Sequence, residues 1–503
     1  MRILFCLSRE QATCDAWPGL FSRLQSRNSD VEIGLLELDA GVSGGELGLP
    51  SHVSEVLSLQ SAQFPGTPVL GEHLRIAHRI LTSSEFDHAR LAAMKLLNRK
   101  DFTGSLRLLE REVILTCAVI NLVEHLMRRP PALVVFHVTP HEFLPYLAKW
   151  VARYLGYQTI HFEPSPISPT QIPHLGDERL SLPTEAVVRT SQIELAVCAI
   201  ARERLGVLRG GQVPKYLEIQ KTRDQTVRKF RERLKAGKFY FRWIAEKRFP
   251  ESIDFSAFSW RDSRFARILS QFATHGLILG LKRRISSLEM YSSAPCGKYV
   301  MFALHYEPER TSFPDGLPIF SQADAVVATR GIVAESTELV VKEHYSQTSS
   351  ALRGFLGRSP SFFDILGSLS NVSFVGPGVR ATDLIDDAEC VFTLTGTIAI
   401  EAVFRGVRVA YFGSPWWGGL PGTIRVRAGT TWEEIQSVPL PSADEAQEFL
   451  EDLVANHMTP GISAQGKDWI EKRMGPLPAG FFESEAEAMA ACIEHLIVAP
   501  EPL

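Results

Sequence analysis

Residues 390–413 read CVFTLTGTIAIEAVFRGVRVAYFG, and this pattern predicts a strand, a helix and a second strand in succession. The segment from Glu389 to Leu394 is mostly apolar, as in a strand that is buried on both faces of a parallel sheet. The residues from Ile398 to Phe404 have helical spacing, and the segment from Arg408 to Phe412 returns as a strand. A strand joined to its neighbour through a helix is the repeating unit of a doubly wound α/β sheet.

The same alternation extends over both halves of the chain. In the first half, apolar runs predict strands at 2–7, 31–38, 131–137 and 158–162, and helical patterns occur at 17–24, 72–128 and 142–155. Residues 39–70 are rich in Gly, Ser and Pro, which predicts a long loop. In the second half we expect further strands at 299–304, 338–341 and 371–374, and a helix or loop at 322–330.

The predicted fold class is therefore α/β, with two Rossmann-like doubly wound domains facing a cleft and a helical insertion between them. We expect four segments: an N-terminal Rossmann-like domain at 1–178, a basic helical insertion or linker at 179–294, a C-terminal Rossmann-like domain at 295–440 and C-terminal helices at 441–503. A ligand of such a fold lies at the carboxyl ends of the parallel strands.

Composition sets limits on the class of protein. The chain has 503 residues, of which 45% are hydrophobic and 22% charged, as is usual for a globular protein with two cores. Its seven cysteines form no CxxC pair, which argues against a disulfide framework or a structural zinc site. Because the first residues lack an export signal and no apolar stretch reaches the roughly 18 residues of a membrane span, we expect a cytoplasmic protein.

One segment is strongly basic although the formal net charge of the chain is −4. Residues 202–248 contain fifteen Lys and Arg but five Asp and Glu, together with the aromatic residues Phe230, Phe239, Tyr240, Phe241 and Trp243. A solvated helical face is the commonest explanation of such a segment. The alternative is peripheral contact with the inner membrane surface or with a lipid-linked glycan. No motif supports nucleic-acid binding.

Three polar clusters follow predicted strands of the second half. The first contains His305, Glu307, Glu309 and Arg310, the second Lys342, Glu343 and His344, and the third Thr395, Gly396 and Thr397. The third opens a helix, where backbone N–H groups and the two hydroxyls predict a phosphate site. Lys342 and His344 could neutralise a phosphate, and His344 could donate a proton to it.

The second and third clusters also have a purely structural explanation. The Thr-Gly-Thr sequence could be a helix cap, and His344 a structural histidine beside a surface ion pair. Glu401, one helical turn after Thr397, could accept hydrogen bonds from sugar hydroxyls or be a solvated helix residue. No pair of acidic residues beside a strand stands out as a divalent-ion site, so we expect no metal and no cofactor.

Residues 302–316, 341–344 and 393–402, followed by Gly406 and Phe412-Gly413, resemble in order and spacing the motifs of the capsule polysaccharide biosynthesis proteins. These are Kdo-transferase-like glycosyltransferases of the GT-B type, and the resemblance covers about residues 298–415. It implies a metal-independent hexosyl- or Kdo-type transferase that moves a sugar from a nucleotide-activated, CMP-Kdo-like donor to a surface or capsular polysaccharide.

The resemblance also implies residue roles. The family's Gln-Pro-Glu and His-Pro motifs, associated with binding a cytidine-monophosphate sugar, fall on Glu309 and His344. This chain has Glu307 in place of the usual Gln and Tyr345 in place of the usual Pro. A carboxylate at 307 would be unfavourable near a phosphate unless Arg310 or Lys342 balances its charge.

The predicted site therefore has three parts. The catalytic candidates are His344, Glu309 and Lys342, and the donor-binding candidates are His305, Glu307, Arg310, Thr395, Gly396, Thr397 and Glu401. On the acceptor side, in the N-terminal domain, the strongest candidates are His137, His141 and Glu163, with Ser8, Arg9, Glu142 and His161 as further strand-end residues. Two alternatives stay open, a sugar-nucleotide epimerase of the same architecture and a non-catalytic nucleotide-binding scaffold in polysaccharide assembly.

Overall fold

The computed structural model describes residues 1–7, 15–37, 55–58, 69–100, 106–167, 169–179, 192–210, 280–281, 283–285, 287, 295, 297–348, 354–462, 471 and 475–498. The chain divides into two compact units, of which the first comprises Met1–Arg204, Pro250–Arg264 and Asp452–Leu503. The second comprises Leu205–Phe249 and Phe265–Glu451. Each unit contains one β-sheet.

The sheet of the first unit contains the strands β1 (Arg2–Leu7), β2 (Glu32–Glu37), β3 (Glu55–Ser58), β4 (Leu133–Phe136), β5 (Gln158–Pro164), β6 (Thr170–Leu175), β7 (Glu178–Arg179) and β14 (Thr459–Pro460). Their order is β14-β6-β5-β4-β1-β2-β3, and β7 pairs with β6. Strands β1 to β5 are parallel, whereas β6, β7 and β14 pair in antiparallel fashion.

The four strands predicted in this unit are confirmed. The prediction of a continuous loop at 39–70 is wrong, because β3 lies within it and pairs with β2. Strands β6 and β7 were also not predicted. The two residues of β7 are too few to form a pattern, and Pro173 and His174 interrupt the apolar residues of β6.

The helices of the first unit are α1 (Trp17–Arg27), α2 (Gly71–Thr82), α3 (Glu85–Lys100), α4 (Leu108–Arg128), α5 (Phe143–Tyr154) and α13 (Phe481–Val498), while α6 (Gln192–Arg209) crosses the boundary between the units. Helices α1 and α13 pack together over one face of the sheet, where their apolar side chains form a core with Phe5, Ile33 and Val135. Exposed ion pairs from Arg23 and Arg27 to Glu487 join the two helices at the surface.

The sheet of the second unit contains β8 (Tyr299–Ala303), β9 (Leu339–Lys342), β10 (Val372–Val375), β11 (Ala388–Thr393), β12 (Arg408–Tyr411) and β13 (Thr423–Arg425). Their order is β10-β9-β8-β11-β12-β13, and every neighbouring pair is parallel. The helices are α7 (Gln322–Ile332), α8 (Pro360–Ser368), α9 (Thr382–Ile385), α10 (Ile398–Phe404), α11 (Trp432–Ser437) and α12 (Ala443–Asn456), the last of which continues into the first unit.

The fold class, two doubly wound α/β sheets, is confirmed. In the first unit the chain leaves β1 toward β2 and β3, and later adds β4 and β5 on the other side. In the second unit it leaves β8 toward β9 and β10, and later adds β11 to β13. The order therefore reverses between β1 and β4 and between β8 and β11. In open α/β sheets, ligands bind at these switch points, beyond the carboxyl ends of the strands.

Candidate functional site

The first and third polar clusters meet at the switch point of the second unit. His305 lies two residues beyond β8, and its Nε2 accepts a hydrogen bond from the Thr395 backbone N–H at 3.2 Å. The same nitrogen lies 2.9 Å from Oγ1 of Thr393, the last residue of β11. The Thr395 hydroxyl donates to the Thr311 carbonyl at 2.6 Å. The structure therefore joins two segments that are 90 residues apart in the sequence.

Arg358 brings the second cluster into the same network. Its side chain is fully buried, and Nε and Nη2 donate to the two carboxylate oxygens of Glu343 at 3.0 and 2.9 Å. Nη2 also donates to the His305 carbonyl at 3.0 Å, and the guanidinium lies 4.6 Å from the centre of the Phe362 ring. One cation thus joins the ends of β8 and β9. No sequence motif identifies Arg358.

Glu307 is also held in this network. Its Oε2 lies 3.6 Å from Nη1 of Arg358 and accepts a hydrogen bond from the Gln322 side chain at 2.9 Å. The Gln347 amide bonds to both the N–H and the carbonyl of Glu307, at 3.0 and 2.9 Å. Arg310 and Lys342 were the predicted counter-charges, and the structure adds Arg358 as a positive charge that the sequence did not reveal.

The hydrogen bonds of His344 determine where its proton lies. Nδ1 accepts from the Ser346 backbone N–H at 3.1 Å, so the proton of the neutral ring is on Nε2. Desolvation, and to a smaller extent the nearby charges of Lys342 and Arg358, lower the pKa of His344 to about 3. His344 is therefore neutral and can donate a hydrogen bond through Nε2. Its predicted role at a phosphate stays a prediction.

The Thr-Gly-Thr turn is hydrogen-bonded to neighbouring loops of the second unit. The Thr395 N–H and hydroxyl are engaged with His305 and Thr311, and the Gly396 N–H donates to Oγ1 of Thr393 at 3.3 Å. These groups of Thr395 and Gly396 therefore have partners within the protein, and the phosphate site at this turn stays a prediction. Thr397 precedes α10 and forms no side-chain cap hydrogen bond, so its hydroxyl is the group of this turn that stays a ligand candidate.

Gly396 permits this close packing. A Cβ at this position would lie 2.8 Å from Oγ1 of Thr393 and 3.2 Å from Nε2 of His305. Any larger residue would push His305 away from β11, because neither contact is at the end of a long flexible side chain.

The other donor-side candidates lie around this network. Glu309 is exposed, and its Oε2 accepts from the Thr311 hydroxyl at 3.3 Å. Arg310 lies 3.5 Å from Asp315, and Nζ of Lys342 donates to the Glu343 carbonyl at 2.6 Å. Burial raises the pKa of Glu401, an effect that Arg405 and Arg380 oppose. Their functional roles stay predictions.

His137 in the first unit directly follows β4, at the switch point with β1. Its side chain is 1% exposed, and its ring centroid lies 4.7 Å from that of Trp17. Neither ring nitrogen has a hydrogen-bond partner within the described part of the chain. Burial lowers the pKa of His137 to about 3, so the ring is neutral at physiological pH.

The remaining acceptor-side candidates lie in two different environments. Nδ1 of His141 lies 2.7 Å from the Thr139 carbonyl, and Glu142 precedes α5 without a side-chain cap hydrogen bond. His161 stacks on His174 with ring centroids 4.8 Å apart, and Nε2 of His174 lies 2.9 Å from Glu163. Ser8 and Arg9 lie outside the described residues, as does most of the basic segment.

The described residues contain neither a cluster suited to a metal ion nor a helix suited to span a membrane. Within these ranges, no group of three or more His, Cys, Asp or Glu residues is arranged to hold a metal ion. No described helix is both long and apolar enough to cross a membrane.

Comparison with known proteins identifies no family. No protein-family profile and no curated protein sequence matches the chain. The matching solved structures include the KpsC β-Kdo 2,7 transferase of Thermosulfurimonas dismutans, at 17% identity over 36% of this chain and 52% of that protein, with a TM-score of 0.21. This chain thus spans about half the length of that transferase.

Two other matching structures cover more of the chain. The β-Kdo 2,4 transferase of the same KpsC is 12% identical over 71% of this chain and 88% of that one, with a TM-score of 0.29. A UDP-GlcNAc 2-epimerase of Methanocaldococcus jannaschii is 12% identical over 90% of this chain and 99% of that one, with a TM-score of 0.22. Similarities of this size do not distinguish a transferase from an epimerase.

Proposed function

We propose that this protein is a glycosyltransferase that binds a nucleotide-activated sugar at the switch point of the second unit. The observation that carries the proposal is the single hydrogen-bonded network that joins three strand-end segments at β8, β9 and β11. The resemblance of those same segments to the capsule polysaccharide biosynthesis proteins supplies the reaction, transfer to a surface or capsular polysaccharide without a metal ion.

The charge of the network favours one kind of donor. Arg358 and Lys342 contribute two positive charges, and Glu307 and Glu343 contribute two negative charges, all on buried side chains. A phosphate therefore meets fixed hydrogen-bond donors rather than a net positive charge. This arrangement suits the singly charged phosphodiester of a cytidine-monophosphate sugar better than the doubly charged diphosphate of a uridine-diphosphate sugar.

Within this site, the chain's own residues would position the donor. Nε2–H of His344 and the Thr397 hydroxyl are donors suited to phosphate oxygens, and Glu401 is suited to accept from sugar hydroxyls. When the bond to the sugar breaks, negative charge on the phosphate increases, so these donors bind the leaving group more strongly than the substrate. That difference is the source of catalysis by such a site.

A thermal-shift screen against cytidine, uridine, guanosine and thymidine mono- and diphosphates tests the proposal. At a hundred times its dissociation constant, a ligand stabilises the folded protein by about 2.7 kcal/mol. We expect cytidine monophosphate to give the largest shift, His344→Ala to abolish it, and His78→Ala, an exposed position on α2, to retain it. A protein that no nucleotide stabilises would contradict the proposal.

The two alternatives give different products. A sugar-nucleotide epimerase rearranges the nucleotide sugar without an acceptor, which NMR of the incubated donor detects. A scaffold binds the nucleotide but turns over no donor with any acceptor. Glycosyl transfer requires both donor consumption and a lengthened glycan, which mass spectrometry of the acceptor detects.

A further inference from the structure

Arg358 has more partners than a single ion pair requires. Its guanidinium donates to both oxygens of Glu343, to the His305 carbonyl and to the Gly357 carbonyl. It also lies beside Glu307 and stacks on Phe362. The planar fork of an arginine, with five N–H donors, can make this set of contacts, whereas the single ammonium of a lysine cannot.

Glu343 connects Arg358 to His344. Glu343 Oε1 accepts from Nη2 of Arg358 and from the His344 backbone N–H, both at 2.9 Å. This carboxylate is fully buried, so its orientation depends on the guanidinium that neutralises it. A displaced Arg358 would release Glu343 and, through it, the backbone of His344.

The segment before Arg358 packs closely against neighbouring loops because it contains two glycines. A Cβ on Gly357 would lie 2.5 Å from the Glu307 side chain, and Gly354 packs against the Gln347 backbone. The two glycines bring residues 354–358 against the loops that follow β8 and β9. Close packing of this kind transmits the position of one side chain to its neighbours.

We propose that Arg358 is a positioning residue of the donor site, which holds His344 in its hydrogen-bonding orientation through Glu343. This inference rests on the proposed function, since it assigns His344 to the nucleotide phosphate. Arg358 itself is buried and acts on the ligand only through the residues it holds. Its positive charge, like that of Lys342, also disfavours a protonated His344 ring.

The first experiment observes His344 directly in the ligand-free full-length protein by ¹⁵N NMR of its histidine rings. In the wild type we expect a neutral ring protonated at Nε2 throughout the pH range from 5 to 8. In Arg358→Lys we expect a mixture of the two neutral tautomers of His344, with the proton on Nδ1 or on Nε2. An unchanged His344 spectrum in Arg358→Lys would overturn the inference, whatever ligand the protein binds.

The second experiment separates positioning from stability. The double variant Glu343→Gln, Arg358→Met replaces the buried pair by neutral groups, which is often close to neutral for folding, while Glu307 loses the guanidinium 3.6 Å away and keeps its bond from Gln322. If Arg358 positions His344, affinity for cytidine monophosphate falls at least about tenfold in the double variant even where its melting temperature is that of the wild type. If the affinity for cytidine monophosphate falls only when the melting temperature falls, Arg358 has a structural role alone and the inference fails.

The two proposals fail in different ways. A wild type that binds no nucleotide contradicts the proposed function, but the NMR comparison still decides whether Arg358 orients His344. A wild type that binds cytidine monophosphate, with Arg358→Lys binding equally well, contradicts only the positioning role.

Discussion

Two buried histidines lie beside the switch points of the two sheets, and their surroundings differ. His305 is bonded through Nε2 to the Thr395 amide, and burial lowers its pKa to about 4. His137 packs on Trp17 and has no hydrogen-bond partner within the described residues. A buried polar group without a partner reduces stability, and the same site would be more stable with an apolar ring.

The pH dependence of stability should reveal His137. Because its folded pKa of about 3 lies below the ordinary value of 6.5, the fold favours the neutral ring. Above pH 6.5 the titration of His137 leaves the free energy of unfolding unchanged. Between pH 6.5 and 3 the free energy of unfolding falls, because the unfolded chain binds a proton there that the folded ring does not. His137→Phe should therefore have a higher free energy of unfolding than the wild type at pH 7. Between pH 7 and pH 5 its free energy of unfolding should fall by about 2 kcal/mol less than that of the wild type. Urea unfolding followed by circular dichroism measures both.

His78→Ala provides the control, because it removes a histidine from an exposed position and changes no buried site. A His137→Phe variant with the same pH dependence as the wild type would mean that His137 is protonated equally in the folded and unfolded states. Glu124, Asp177 and Glu487, whose pKa values are lowered in the fold, lose their contributions at more acidic pH than the histidines do.

Individual side chains were predictable where they directly follow a strand, and not otherwise. His305, Lys342 and His344 could be placed at the carboxyl edge of the sheet because they lie at or just after the end of an apolar run, and their roles stay predictions. Arg358 was missed because residues 354–358 have no periodic pattern, and its partners are distant in the sequence. The engagement of Thr395 and Gly396 was also not predictable, since their partners come from the loop after β8 and from the end of β11.

Among the elements, strands buried on both faces were predicted to within two residues. The segment 389–394 corresponds to β11 (Ala388–Thr393), and the predicted helix at 398–404 has the bounds of α10. A continuous apolar run identifies such strands without knowledge of their neighbours. The hairpin of β6 and β7 was missed because its sequence mixes Pro173, His174 and Gly176 with few apolar residues.

The contact between the end of β12 and the loop after β8 provides an element-level prediction. A Cβ on Gly413 would overlap the Asp315 carbonyl and lie 2.6 Å from Cγ2 of Thr395. Because backbone atoms must move to accommodate it, Gly413→Ala should cost about 1–3 kcal/mol of stability. Thermal unfolding of the purified variant measures this.

Gly331→Ala is the matched control. Gly331 lies in α7 with open space around its Cα, so alanine should be neutral or should stabilise the helix by up to about 1 kcal/mol. Equal melting temperatures of the Gly413→Ala and Gly331→Ala variants would show that the loop after β8 moves freely away from β12.

Taken as a whole, the chain begins and ends in the same unit. The predicted segment 441–503 contains α12 and α13, and α13 packs on α1 with Met489 and Ile493 in the core of the first unit. Hydrophobic spacing identified these helices but not the sheet that they cover. An apolar helical face fits any apolar surface, so its partner depends on chain reversals that no local pattern specifies.

Because α13 belongs to the first unit, a defect in it should affect that unit alone. Met489 is fully buried, and Met489→Ala should cost about 2–5 kcal/mol through lost packing and a residual cavity. In hydrogen exchange, β1, β4 and α1 should lose protection, while β8 and β11 retain theirs, because local stability follows cooperative units. Glu483→Gln, at an exposed position of the same helix, should leave the hydrogen-exchange protection of both sheets unchanged. Equal loss of protection in both sheets would instead mean that the two units unfold as one cooperative block, and the assignment of α13 to a separate first unit would then be wrong in energetic terms.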